Sequence, residues 1–220
     1  MDPPATVDEL VARATALAGR TLGDVARSLG MTVGDDGVRT KGKFGQILER
    51  ALGGGESSKS EHDFPAIATE LKTIPIGPRG PVESTYVCTL PLAGSEHLAW
   101  ESSWVRAKLS RVLFVPIWVE VPSWRERRVG RPLLFSPTAA QEAILKADFD
   151  EVVGLFGAGR AEEVTAKLGR WLQVRPKAAD GSARTATRTE AGEIVLTIPR
   201  GFYLRTRFTK AILRDPAALP

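Results

Sequence analysis

The most apolar run of the sequence, residues 111–121, predicts a long buried strand rich in Val, Ile, Phe and Trp. It is too short to span a bilayer, and Pro116 interrupts it. Helical and strand patterns occur on both sides of this run, with no internal repeat and no long linker. The sequence therefore predicts a mixed α/β (α+β) fold.

Three helices are predicted before the first strand, at residues 7–17, 21–29 and 44–52, and the first begins with a Thr6–Glu9 capping box. Two β-rich runs at 66–76 and 82–90 flank a Gly/Pro-rich turn and predict a hairpin-like pair. Further helices are predicted at 102–110, from Ser136-Pro137 to about 156, and at 162–169 and 209–214, with strands at 132–135, 171–175, 193–198 and 202–208. All five tryptophans are assigned to the core, above all the strand residues Trp118 and Trp171.

Composition narrows the possible chemistry. Cys88 is the only cysteine and there are two histidines, which excludes a disulfide framework, a cysteine zinc cluster and a multi-histidine metal site. The N-terminus lacks the pattern of a signal peptide, so a cytoplasmic protein is expected.

Charge is distributed unevenly along the chain. The net charge is +4, yet residues 51–100 hold three basic and six acidic residues, whereas residues 151–220 hold twelve basic and seven acidic ones. Carboxylate chemistry and phosphate binding can therefore come from different segments, and we expect basic residues such as Arg200 to hold a polyanion.

Glu70-Leu71-Lys72 lies in a predicted strand, so Glu70 and Lys72 project from one face and Leu71 points into the core. A bend upstream could place Asp63 beside Glu70. Two carboxylates and a strand carbonyl suit Mg²⁺, and a nearby lysine can stabilise developing charge. Since a Glu-x-Lys tripeptide occurs about once by chance in such a chain, an ion pair on a solvated strand face is the alternative interpretation. Glu49 is a possible fourth member, or a solvated helix residue.

Several separated blocks then resemble one family, in the same order and from about residue 7 to 214. They are Lys41-Gly42, Asp63-Phe64 with residues 70–75, Trp100-Glu101 with Val105-Arg106, Arg127-Arg128-Val129-Gly130, residues 175–179 and residues 199–204. The blocks are similar to those of the MutH family of mismatch-repair nicking endonucleases.

The resemblance implies a restriction-endonuclease-like mixed sheet flanked by helices, with two lobes forming a DNA-binding cleft. Residues 1–220 would be a single endonuclease domain, with a catalytic lobe including about 41–110 and a DNA-reading lobe including about 160–214. The implied catalytic residues are Asp63, Glu70, Lys72 and Glu49, and the implied metal ligands are Asp63, Glu70 and Leu71. The implied cofactor is Mg²⁺, for which Mn²⁺ would substitute.

The implied reaction is a nick 5′ to the guanine in the unmethylated strand of hemimethylated GATC DNA, made by a monomer after activation by MutL. Arg175 and Lys177 match a loop that suits guanine or phosphate. Tyr203 matches a tyrosine associated with sensing adenine methylation, or is a buried strand tyrosine. The remaining implied DNA-binding residues are Lys41, Lys108 and Tyr86, the last standing where the family has a phenylalanine.

Two alternatives remain open at this level. A restriction enzyme of the same fold would cut both strands of unmethylated GATC without an activator. A DNA-binding module would bind DNA without cutting it, which the intact Asp63, Glu70 and Lys72 argue against.

Overall fold

The computed structural model describes residues 1–32, 42–55, 61–92, 97–177 and 182–216. The helices in these ranges are α1 (Val7–Leu17), α2 (Leu22–Ser28), α3 (Lys43–Ala51), α4 (Trp104–Leu109), α5 (Ala139–Gly157) and α6 (Thr206–Arg214). The strands are β1 (Glu70–Gly77), β2 (Gly80–Pro81), β3 (Thr85–Leu90), β4 (Val112–Trp118), β5 (Arg128–Val129), β6 (Leu133–Phe135), β7 (Leu172–Pro176), β8 (Thr185–Arg188), β9 (Ile194–Thr197) and β10 (Arg200–Leu204).

The chain divides into two compact units, one of residues 1–83 with 110–136 and the other of residues 84–109 with 137–220. Residues 84–109, which the resemblance assigned to the catalytic lobe, group with the second unit. Within the described ranges, no helix has the length and apolar character needed to cross a membrane.

The first unit contains a mixed sheet in the order β2-β1-β4-β5, with β6 also pairing with β4. β1 and β4 run parallel over seven residue pairs, from Glu70 opposite Val112 to Ile76 opposite Trp118. Leu71 on β1 and Leu113 on β4 pack into one core with buried residues of α1, α2 and α3. Burial of this apolar surface holds the helices against the sheet.

The second unit contains a three-stranded antiparallel sheet in the order β3-β10-β7 and a separate β8-β9 hairpin. Phe202 of β10 stacks on Phe149 of α5 with ring centroids 5.5 Å apart, so α5 covers one face of the three-stranded sheet. α5 begins at a capping box in which Thr138 and Gln141 exchange hydrogen bonds. The predicted helix, with Ser136 as its N-cap and Pro137 in its first turn, thus begins two residues too early.

Three other predictions about the elements were wrong. Residues 82–90 do not form a hairpin with β1, because β1 pairs with the two-residue β2 whereas β3 pairs with β10. The helix predicted at 162–169 is only a short 3-10 turn at residues 161–163. The strand predicted at 202–208 ends at Leu204, and residues 206–208 belong to α6. In addition, β8 was not predicted.

The tryptophans do not all lie in the core. Trp171 is buried, as are Trp100 and Trp124, but Trp118 is 46% exposed and Trp104 is 48% exposed. Trp118 is the last residue of β4 and the only one of its seven residues that is exposed. An apolar strand pattern does not distinguish its buried middle from such an end.

Candidate functional site

A tight turn precedes β1 and sets the position of Asp63. The N–H of Phe64 donates to the carbonyl of Thr69 at 3.0 Å, and the N–H of Thr69 donates back to Phe64 at 3.2 Å. Between them the chain makes a 3-10 turn from Pro65 and a left-handed residue at Ala68 with φ of 44°. This reversal supplies the bend expected between Asp63 and the strand.

The turn brings the carboxylate of Asp63 to β1, where its Oδ2 accepts a hydrogen bond of 2.8 Å from the N–H of Leu71. The N–H of Glu70 donates to Arg111, next to β4. Because backbone groups alternate between the two edges of a strand, the N–H and C=O of Leu71 face the opposite edge, on the side of Asp63.

Glu70 and Lys72 project from the same face of β1, as predicted. Lys72 Nζ donates to Glu70 Oε1 at 2.5 Å, and the two side chains are 15% and 2% exposed, respectively. The pair is therefore buried rather than a solvated surface ion pair. Leu71, between them, points into the core and is 6% exposed.

These four residues form what we call the acidic strand site: Asp63, Glu70, Leu71 and Lys72. Its donor set consists of two carboxylates and the Leu71 carbonyl, which are hard oxygen ligands of the kind that Mg²⁺ prefers. Lysine contributes a positive charge at the same place. The chemistry of the residues present thus fits a divalent cation.

The role implied for Glu49 stays a prediction. Among the described residues, no group of three or more His, Cys, Asp or Glu side chains lies together as a metal-binding cluster. Glu49 lies on α3, and its carbonyl accepts a hydrogen bond of 2.8 Å from Gly54 in the loop that follows the helix.

A cavity of about 270 Å³ adjoins Asp63. Its walls include Pro3, Pro4, Gly54 and Phe64. The N-terminal segment reaches this wall because Arg13 Nη1 donates to the carbonyls of Asp2 at 2.7 Å and Leu52 at 3.0 Å. The sequence did not reveal this contribution, since nothing in its local pattern connects residues 2–4 with residues 52–55.

The second unit carries four of the candidate DNA-binding residues on one face of the β3-β10-β7 sheet. The rings of Tyr86 and Tyr203 meet edge to face at a centroid distance of 5.3 Å. Lys177 Nζ lies 4.5 Å from the centroid of the Tyr86 ring, within the range of a cation–π contact. Arg175 Nη1 donates to Ser84 Oγ at 2.9 Å.

A β-bulge turns Tyr86 towards this face. Phe202 of β10 lies opposite Cys88, and the next residue, Tyr203, lies opposite Tyr86, so Val87 has no partner in this register. The extra residue reverses the alternation of β3, and Tyr86 shares a face with Thr89, three residues later. Their hydroxyl oxygens are 2.9 Å apart. Regular alternation would place these residues on opposite faces, so the sequence carries no signal for the contact.

The other basic candidates fall into different environments. Lys41 lies outside the described residues. Lys108 is on α4 and is only 6% exposed. Arg106 is paired with Glu142 at 2.6 Å, and this hydrogen bond raises the pKa of Arg106. Arg128 Nη1 donates to the carbonyl of Gly19.

Arg200 does not join the candidate DNA-binding face. Its guanidinium lies 5.5 Å from the centroid of the Phe156 ring of α5 and donates to the carbonyl of Val164. Burial lowers the pKa of Arg200. The side chain of Arg200 thus points to the face of the sheet opposite to that of Tyr203, and its contact with a polyanion stays a prediction.

Comparison with known proteins connects these features with one family. A family model described as "DNA mismatch repair enzyme MutH" matches residues 52–148. The DNA mismatch repair protein MutH of Escherichia coli (strain K12) is 44% identical over 216 residues, which cover 97% of this chain and 94% of that protein. Proteins of the same name from E. coli O9:H4 (strain HS) and E. coli O157:H7 (strain EC4115 / EHEC) match with the same identity and coverage.

The mixed sheet flanked by helices, together with Asp63 and the Glu70–Lys72 pair of β1, defines a nuclease of restriction-endonuclease-like fold. The similarity extends over nearly the entire length of both chains. The chain belongs to the MutH family, and it is a mismatch repair endonuclease.

Proposed function

We propose that the chain is a Mg²⁺-dependent endonuclease that nicks the unmethylated strand of hemimethylated GATC sites in methyl-directed mismatch repair. The observation that carries this proposal is the acidic strand site, where Asp63 lies at β1 beside the buried Glu70–Lys72 pair. Membership of the MutH family supports the place of the reaction in mismatch repair.

Asp63 and Glu70 would hold Mg²⁺ through their carboxylates, with the Leu71 carbonyl as a third ligand. When bound, Mg²⁺ stabilises charge on the phosphate and lowers the pKa of a coordinated water. Lys72 would orient the attacking water and stabilise the developing negative charge. Mn²⁺ accepts the same oxygen ligands and would substitute.

Glu49 would assist from α3, through water or through the metal. Its backbone is held by the hydrogen bond from Gly54, in the loop that also lines the cavity at Asp63. A role through a water molecule fits this arrangement. The product would be a nick 5′ to the guanine that leaves a 5′-phosphate.

The second unit would read the DNA. The guanidinium of Arg175 and the ammonium of Lys177 can donate to guanine O6 and N7 or to phosphate, while Tyr203 would sense adenine methylation. Tyr86 supports Lys177 by the contact described above. Lys41 and Lys108 would interact with phosphates, as contacts of basic residues with DNA more often do.

The partners in this proposal are double-stranded DNA containing GATC and MutL as the activator. The test is cleavage of unmethylated, hemimethylated and fully methylated GATC duplexes by the purified monomer in Mg²⁺, with and without the cognate MutL. We expect nicking of the unmethylated strand in hemimethylated DNA, stimulated by MutL and blocked by full methylation.

Asp63→Ala and Glu70→Ala should abolish cleavage, whereas Glu120→Ala, an exposed carboxylate in the same unit, should leave it unchanged. Cleavage that survives both of the first two substitutions would sink the proposed mechanism. Rapid cutting of both strands without MutL would identify a restriction enzyme instead. Salt-sensitive DNA binding with no cutting in Mg²⁺ or Mn²⁺ would identify a binding module.

A further inference from the structure

Tyr86 is at the centre of a group of side chains on the candidate DNA-binding face, which we call the Tyr86 cluster: Tyr86, Thr89, Lys177, Gly201 and Tyr203. The cluster spans the three strands of the sheet. Gly201 of β10 lies opposite Thr89 of β3 on one side and Arg175 of β7 on the other, and Lys177 directly follows β7. We infer that Thr89 and Gly201 are positioning residues for base reading, acting on Lys177 and Tyr203 through the Tyr86 ring. This inference rests on the proposed function of that face.

Thr89 holds the outer end of the Tyr86 side chain. Its Oγ1 lies 2.9 Å from Tyr86 Oη, and either hydroxyl can be the donor. A tyrosine ring rotates about two side-chain bonds, so a contact at the hydroxyl together with one at the ring edge restricts both. The second contact is the edge-to-face packing with Tyr203.

Gly201 supports the inner part of the same ring. A Cβ atom at position 201 would lie 2.9 Å from Tyr86 Cε2, 3.1 Å from the carbonyl of Cys88 and 3.5 Å from Lys177 Cβ. The first of these distances is shorter than a normal carbon–carbon contact, so a side chain here would displace the ring. Gly201 is required for space, because its backbone does not have the positive φ that favours glycine.

Thr89 and Gly201 act on Lys177 because they hold the Tyr86 ring in place. Its backbone is fixed by a hydrogen bond of 2.7 Å from its N–H to the carbonyl of Pro199. Its ammonium lies over the Tyr86 ring, at 4.5 Å from the centroid. Because a lysine side chain is long and flexible, the ring limits where the ammonium can meet a base. Movement of the ring should therefore change which bases Lys177 accepts.

The test measures two quantities in Thr89→Val, Tyr86→Phe, the double variant and Gly201→Ala. One is the ratio of dissociation constants for a GATC duplex and a duplex with one base pair changed, with Ca²⁺ in place of Mg²⁺. The other is the ring-current shift of the Lys177 side-chain protons in NMR spectra of the free protein, which reports the contact with Tyr86.

We expect Thr89→Val and Tyr86→Phe each to reduce the ratio of dissociation constants, and thus the discrimination between the duplexes, by about 3- to 10-fold. The double variant should resemble either single variant, because all three remove the same hydrogen bond. Gly201→Ala should reduce it by about 10-fold or more, since the ring itself must move. The Lys177 ring-current shift should decrease in all four. Thr89→Ser, which keeps the hydroxyl, should retain both properties.

Thr185→Val on β8 is the matched control for Thr89→Val. Gly154→Ala on α5 is the matched control for Gly201→Ala, because a Cβ atom at position 154 would meet no atom within 4 Å. Both control variants should discriminate between the two duplexes as well as the wild type does.

A wild-type protein without preference for GATC would overturn the proposed function. A wild-type protein that discriminates, with Thr89→Val and Gly201→Ala equal to it in discrimination and ring-current shift, would overturn the positioning role. A loss in Tyr86→Phe without one in Thr89→Val would also overturn it, because the hydroxyl would then act on DNA directly.

Discussion

The carboxylate of Asp63 accepts a hydrogen bond of 2.8 Å from the backbone N–H of Leu71, across the turn that precedes β1. One oxygen thus contributes to the local fold, while the carboxylate as a whole is a ligand in the proposed reaction. The two roles can be separated by substitution, because an amide retains an acceptor oxygen but not the charge.

Asp63→Asn should lower cleavage by at least about 1000-fold, since a neutral amide is a poor ligand for Mg²⁺. It should leave the free energy of unfolding almost unchanged because the Asn carbonyl oxygen can still accept from Leu71. Asp63→Ala should be equally inactive and less stable by about 1–3 kcal/mol, the cost of an unsatisfied donor. Cleavage rates and urea unfolding measured side by side check this, and equal stability of the two variants would contradict it.

Removal of Lys72 should destabilise the protein as well as inactivate it. Glu70 is only 2% exposed, so Lys72→Met leaves a buried carboxylate without this cation, at a cost of about 3–5 kcal/mol. The double variant Glu70→Gln/Lys72→Met should recover part of that loss, because it carries no buried charge at the pair. Urea unfolding at pH 7 measures both effects. A double variant that loses the sum of the two single losses would argue against a coupled pair.

Asp148 of α5 should be important for the stability of the second unit. Its buried carboxylate accepts from the N–H groups of Arg170, Trp171 and Leu172 at 2.6, 2.6 and 2.8 Å, just where β7 begins. Asp148→Asn has a single acceptor oxygen and should lower the free energy of unfolding by about 2–4 kcal/mol.

Glu151→Gln is the matched control for Asp148, since Glu151 is exposed and accepts one N–H, from Gly169 at 3.0 Å. Its loss should be under about 1 kcal/mol. Similar losses in the two variants, measured by chemical denaturation, would show that the three buried hydrogen bonds of Asp148 are not the source of its effect.

The Arg106–Glu142 pair should give stability that depends on pH. Hydrogen bonds from Arg106 and then from Trp100 hold the pKa of Glu142 below the ordinary value of 4.5. A carboxyl whose pKa is lower in the folded state stabilises the fold above its unfolded pKa, and this contribution is lost as the pH falls through the folded pKa. Glu142→Gln should therefore cost up to about 1 kcal/mol at pH 7, as for a partly exposed pair.

The same variant should lose its disadvantage in acid. Unfolding curves of wild type and Glu142→Gln, recorded between pH 7 and pH 3, should converge as the pH falls below 4.5. A difference in stability that stays constant over this range would exclude the ion pair as its cause.

Sequence patterns correctly predicted features that form between residues close together in the chain. Thr6 caps α1, and its side chain accepts from the N–H of Glu9 as one half of the predicted capping box requires, while the Glu9 carboxylate accepts from the N–H of Ala5. Strand alternation placed Glu70 and Lys72 on one face, and the bend before β1 was expected from the position of Asp63. Each of these features depends on residues within about one turn or one strand of each other.

Features that depend on distant residues were not predictable in this way. The pairing of β1 with β4 joins segments about 40 residues apart, and the sequence pattern of a strand does not show which strand it pairs with. The same limit explains the incorrect hairpin of β1 with β3. In the site, the contribution of Pro3 and Pro4 to the cavity at Asp63 was missed for this reason. The contact of Thr89 with Tyr86 was missed because it needs the bulge, which arises in the pairing of β3 with the distant strand β10.

The bulge at Val87 makes the chemistry of one sheet face depend on the register of β3, and not only on the identity of its residues. Without the bulge, Val87 would lie opposite Tyr203 and Tyr86 would turn to the side of Phe202, although every residue of the Tyr86 cluster would still be present in the chain. A one-residue shift in this register would therefore alter the face more than most replacements within the strand.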